Sequence, residues 1–264
     1  MLTIILGISV GLALGLTGAG GGILAIPALT LGLGWSLQQA TPVALCAVGM
    51  AASLGAVHGL RNRLVRYKAA GVMAVAGWLV APLGLAASKW FPAKLLMILF
   101  AVVMVFVAYR LYRQAASLSH GPSNATLQKN CMMNSSTGRL QWNVQCITTL
   151  ALIGAGSGFL TGLLGVGGGF LVVPAFRRFS NVHMHSVVAT SLTVVALVSL
   201  GALLHMLTEG ERLAEGAVVF IAATLAGMAG GRMVAANIPA ARLQKGFAGL
   251  CLGVALLVLF NTCV

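Results

Sequence analysis

The stretch GLALGLTGAGGGILAIPA, residues 11–28, returns 147 residues later as GFLTGLLGVGGGFLVVPA, residues 158–175, with 10 of 18 positions identical. Both copies carry three consecutive glycines, Gly20 to Gly22 and Gly167 to Gly169, and both place a proline five residues further on, at Pro27 and Pro174. With one residue inserted, Ser53-Leu54-Gly55-Ala56 answers Ser199-Leu200-Gly201-Ala202, and His58 closes the first block as His205 closes the second. Gly84 and Pro92 fall opposite Gly231 and Pro239, again at an offset of 147. The chain reads as an internal duplication, residues 1–115 and 144–264, joined by a polar linker at 116–143.

The segments around these motifs are almost free of charge. Hydrophobic residues make up 59% of the 264 and charged residues 7%, against roughly 25% in a soluble domain. Mean hydropathy is +1.00, so the expected fold is an all-α polytopic integral membrane protein. The net charge of +13 comes from 16 Lys and Arg residues set between long uncharged runs. That is the distribution of topogenic loops, not of a nucleic-acid-binding face. No basic region precedes the first apolar run, which is therefore read as part of the mature protein. The five cysteines (Cys46, Cys131, Cys146, Cys251 and Cys263) form no CxxC pair, so neither a disulfide framework nor a metal site is expected. No cofactor motif is present: Gly15-Leu16-Thr17-Gly18-Ala19-Gly20 lacks the following acid of a dinucleotide fingerprint and the Gly-Lys-Ser/Thr of a P-loop.

Eight hydrophobic segments follow from the charge-free runs, the first of each half being the Gly/Pro-broken one. Most runs fit a single crossing of about 20 residues. The run 140–176 holds 37 residues, and 1–60 less one crossing near 40–60 leaves 39; both are too long for one crossing and too short for two. If each broken segment crossed fully, the basic residues would divide nine against seven. If each enters and returns on one side, they divide 13 against three, with Glu209, Glu211 and Glu215 all on the poor side. The positive-inside rule selects the second arrangement. It makes the halves inverted repeats with re-entrant hairpins, both termini outside and the linker cytoplasmic.

Irregular backbone is tolerated at membrane depth only when it is buried in protein or lines a cavity. Each glycine run is expected to form an unwound turn between a helix and a shorter helix that begins near Pro27 or Pro174. Such a turn exposes N–H groups at a helix N-terminus and offers an anion site that needs no lysine. Paired breaks of this kind in matching halves point to the substrate site of a transporter. The candidate substrate-binding residues are Gly18, Gly20, Gly21, Gly22 and Pro27 in one half, with Gly165, Gly167, Gly168, Gly169 and Pro174 in the other. The simpler alternative is that the glycines only allow close helix packing.

The duplicated Gly-x-Gly-Gly-Gly-x-x-x-x-Pro element, with Ala189-Thr190-Ser191-Leu192, resembles the TauE/SafE sulfite exporter family over nearly the whole chain outside the linker. The resemblance implies a bacterial inner-membrane permease exporting sulfite or a small organosulfonate, and it adds Thr190 and Ser191 to the substrate contacts. In the first half Ala44-Leu45-Cys46 stands at that place, so contact through the hydroxyl pair would be asymmetric.

His58 and His205 end equivalent spans and are candidates for gating or proton linkage. Thr17, Thr41, Ser53, Thr161 and Ser199 could line a path, although a hydroxyl in a helix more often bonds to its own backbone. Arg61 and Arg232 sit near span ends, where snorkelling to water is the default. His183-Met184-His185 lacks further ligands and reads as a polar loop. No acid lies inside a span, so carboxylate-based Na⁺ or H⁺ coupling has no carrier. An anion needs none, because the membrane potential drives it outward at about 2.3 kcal/mol per charge per 100 mV. The expected activity is alternating-access export of a small anion by a non-enzymatic transporter whose only other partner is the bilayer. An anion channel, a metal-ion transporter and a membrane-embedded assembly factor are the alternatives, and homo-oligomerisation is left open.

Overall fold

The computed structural model describes residues 1–18, 21–119, 131, 143–166, 168–180, 184–208, 216–235 and 240–263, and among these the regular elements are all helices, with one isolated bridge between Cys131 and Ser180. Helix α1 (Leu2–Thr17) leads through a glycine turn to α2 (Gly21–Gly32), followed by α3 (Leu37–Arg61), α4 (Tyr67–Trp90) and α5 (Ala93–Ser119). The second half repeats the order with α6 (Val144–Leu164), α7 (Gly169–Phe179), α8 (Met184–Thr208), α9 (Ala217–Ala235) and α10 (Ala240–Cys263). Seven of the described helices are long and apolar enough to cross a membrane, while Leu2–Thr17 and Gly21–Gly32 are shorter. The expected first segment is thus two short helices rather than one span. At about 1.5 Å per residue, the 16 residues of α1 reach about 24 Å, short of a 30 Å hydrocarbon core.

Local sequence explains the joints. Ser36 opens α3 with a capping box: its hydroxyl accepts from the Gln39 N–H and the Gln39 side chain accepts from the Ser36 N–H, both at 3.4 Å. Gly165 ends α6 at φ 68, its N–H reaching the Thr161 carbonyl at 2.8 Å. The prolines do not open the short helices as expected. Those helices start at Gly21 and Gly169, and Pro27 and Pro174 lie inside them. Proline removes one intrahelical bond wherever it sits past the first turn, and α2 answers by widening into a π turn over Ala28–Gly32 directly after Pro27.

Helix packing is built on small residues, the means available where lipid removes the hydrophobic drive between helices. Gly7, Gly11 and Gly15, four apart and so on one face of α1, lie in order against Phe220, Thr224 and Met228 of α9. Gly154, Gly158 and Gly162 of α6 lie in order against Met73, Gly77 and Ala81 of α4. Both pairs therefore run parallel, and every residue in the first interface has its counterpart 147 residues away in the second. At the centre α3 and α8 cross antiparallel, with Gly49 facing Ser199, Gly55 facing Leu192 and Gly59 facing Ala189. Helices α5 and α10 pack together at the periphery. They leave Val102, Phe106, Leu256 and Phe260 exposed, as lipid-facing side chains must be.

One expectation is overturned outside the spans. Cys131 of the linker is disulfide-bonded to Cys146 in the first turn of α6, and the Cys131 N–H donates to the Phe179 carbonyl at 3.0 Å. The bond depends on where the linker returns to the helix ends, which a spacing of 15 residues does not announce.

Candidate functional site

The glycine runs fold back on the helices before them and then meet. After Gly18, at φ 77, the chain reverses so that Gly21 packs on the backbone of Ala13 and Leu14. A Cβ on Gly22 would stand 2.9 Å from Val48 Cγ1 and 3.1 Å from the Val166 carbonyl oxygen, so the first run touches the second turn directly. Gly168, at φ 53, caps the start of α7, and a Cβ there would collide with Ser157 and Thr161 of α6. Gly18 abuts Val188 and Gly165 abuts Thr41, again counterparts at offset 147. Gly18, Gly21, Gly22, Pro27, Gly165, Gly168, Gly169 and Pro174 are all buried. Gly20 and Gly167 lie outside the described residues.

Thr190 and Ser191 are buried in α8. The Thr190 hydroxyl donates to the Ser186 carbonyl at 2.6 Å and accepts from the Arg66 backbone N–H at 3.1 Å, pinning the α3–α4 loop. Ser191 donates to the Val188 carbonyl at 2.9 Å. In the register the packing keeps, their counterparts are Val43 and Ala44 rather than Leu45 and Cys46. The first half still lacks the hydroxyls. His58 is exposed on the last turn of α3; His205 belongs to α8, with its side chain outside the described residues. His185 is exposed and His183 lies outside the described residues; among the described residues no group of three or more His, Cys, Asp or Glu is placed to hold a metal.

Two features escaped the sequence reading. Ser157 is 1% exposed and its Oγ has no hydrogen-bond partner. Beside it Thr161 donates to the Ser157 carbonyl at 2.7 Å, so both hydroxyls stand at the second glycine turn. Their counterparts at the first turn are Val10 and Leu14, both buried. The signal was available only in that comparison, a pair of hydroxyls where the duplicate has two aliphatic side chains. The second feature is Arg232, whose guanidinium does not snorkel wholly outward: Nη1 is buried without a partner beside Gly55. Buried atoms of Arg177, Ser199 and Gln244 are likewise unpaired. These five residues lie on five different helices; two carry cations and two more are hydroxyls able to donate.

Comparison with known proteins points to membrane transport. The chain is 28% identical over 258 residues to a "Probable membrane transporter protein" of Xylella fastidiosa (strain 9a5c), covering 96% of this chain and 92% of that one. A protein of the same description from Xylella fastidiosa (strain Temecula1 / ATCC 700964) is 28% identical over 262 residues with the same coverage. No solved structure matches the chain. The family pattern described as "Sulfite exporter TauE/SafE" matches residues 3–258, and with nearly its whole length inside that pattern the protein belongs to the TauE/SafE family.

Proposed function

We propose that this protein is a secondary transporter of the bacterial inner membrane that exports a small sulfur-containing anion, of the sulfite or organosulfonate type, by alternating access. The halves 1–115 and 144–264 are inverted, each opening with a re-entrant hairpin, with the linker 116–143 cytoplasmic and both termini outside. Helix directions support the inversion: α1 runs parallel to α9, α6 parallel to α4, and α3 antiparallel to its counterpart α8. This disposition puts 13 basic residues on the linker side and three on the other.

The observation that carries the reading is the second glycine turn. The start of α7 and the unpaired Ser157 hydroxyl converge there, buried, with donors and no acid among the described residues around them. A helix N-terminus with a free hydroxyl beside it stabilises an oxyanion by position alone. Gly18, Gly21, Gly22 and Pro27 with Gly165, Gly168, Gly169 and Pro174 form the seat, and Thr190 and Ser191 hold the α8 wall of it. Counterflow in proteoliposomes tests this. External sulfite should accelerate efflux of labelled sulfite and saturate, as a carrier requires. Linear, unstimulated flux would make the protein a channel, and no flux of sulfite, sulfoacetate, taurine or sulfate would remove the transport reading.

A further inference from the structure

The register of 147 residues sets each side chain against its counterpart in the other half, and one comparison is unequal in charge. Near the end of α4, Leu85 packs with Leu45 of α3 and Ala202 of α8 in a small buried apolar cluster. The counterparts of these three are Arg232 of α9, Leu192 of α8 and Gly55 of α3. They also converge: a Cβ on Gly55 would stand 2.7 Å from Leu192 Cδ1 and 2.9 Å from Arg232 Nη1. The apolar plug at one end of the molecule is a guanidinium at the other. The alanine that would crowd this guanidinium is a glycine.

Among the described residues Arg232 has no carboxylate partner. The only acids in the chain, Glu209, Glu211 and Glu215, precede α9, and Arg232 lies about 22 Å of helix beyond Ala217. Snorkelling would carry the whole head group to water, yet Nη1 is buried without a partner. The carbonyls ending α9 attract any cation in its last turn, but a side chain on the outer face would serve them equally. An ionisable group held inside a span marks a substrate or ion pathway. Its backbone also adjoins the first hairpin: a Cβ on Gly15 would lie 2.9 Å from the Arg232 nitrogen, three residues before the turn at Gly18.

We propose that Arg232 is an anion-binding residue at the basic face of the protein, its guanidinium packed against Gly55 beside the first glycine turn and its unpaired Nη1 turned to a small oxyanion. The Leu45–Leu85–Ala202 cluster leaves the opposite end without such a contact, so the two ends of the path recognise charge unequally. The inference rests on the anion-transport reading above.

The test compares wild type with R232L/G55A, which rebuilds at one end the packing already present at the other, and with R232Q and R232K. All are reconstituted after size-exclusion chromatography shows folded protein, and sulfite is the probe. Loss of one charge-assisted contact should raise the KM for sulfite about tenfold or more in R232L/G55A and R232Q, while R232K stays nearer wild type. A wild-type KM in both neutral variants would overturn the assignment of Arg232 and leave the transporter reading standing. Absence of sulfite flux and binding in the wild type would sink the two together.

Discussion

Ser157→Ala removes a hydroxyl that is 1% exposed and has no partner in the folded chain. An orphaned buried donor costs about 1–3 kcal/mol of stability, and alanine is the better helix former by about 0.5 kcal/mol. Val10, buried at the counterpart position, shows that the first half accepts an apolar side chain there. The variant should therefore unfold at the wild-type temperature or above it. Its anion site, in contrast, loses a hydrogen bond to a charged group, worth about 1.5–3 kcal/mol, or about ten- to 150-fold in apparent affinity. Sulfite counterflow gives the KM and thermal unfolding in detergent gives the stability, from one preparation. Weaker affinity with undiminished stability is the signature of a hydroxyl kept for a ligand. A destabilised variant with unchanged KM would show that Ser157 serves the fold, and the account of the second turn would fail.

Three other outcomes follow from particular contacts. Gly158→Leu drives a side chain into the Gly77 backbone and should prevent recovery of monodisperse protein, whereas Gly249→Ala, with open space around it, should behave as wild type; size-exclusion profiles decide. Gly168→Ala puts a Cβ against Ser157 and Thr161 at a φ of 53, and should abolish counterflow while leaving the remaining helix content intact by circular dichroism. The basic side carries Cys131 and Cys146, and a cytoplasmic location would keep such a pair reduced in the cell and let it oxidise on purification. Because both are buried, a maleimide added as the cells are acid-quenched and denatured should then label both; a pair already oxidised in cells would reverse the proposed orientation.

Much of the fold was written in local chemistry. Charge-free runs located the long helices, and the run of 37 residues, too long for one crossing, breaks into α6 and α7. The 147-residue offset also holds in space, because the same glycine stripes make both interfaces. Which partners those stripes choose was not legible. Gly7, Gly11 and Gly15 pack on the other half of the chain, and nothing local distinguishes α9 from α4 as their partner. Arg232 was misjudged for a related reason: whether a guanidinium near a helix end turns inward depends on Gly55, 177 positions earlier. Proline at Pro27 and Pro174 suggested helix starts, but the left-handed Gly18, and Gly165 with Gly168, come before them, so the prolines fell inside the following helices. Ser157 looks ordinary in a membrane helix until Val10 is set beside it.

The central claim is that the protein moves an anion down the membrane potential without a coupling cation. It is tested most directly by the steady-state sulfite gradient in proteoliposomes clamped at 100 mV with K⁺ and valinomycin. The account predicts accumulation on the positive side of about fiftyfold for each net charge moved, unaffected by removing Na⁺. A gradient that stays near one, or that follows Na⁺ or pH instead of potential, would contradict it.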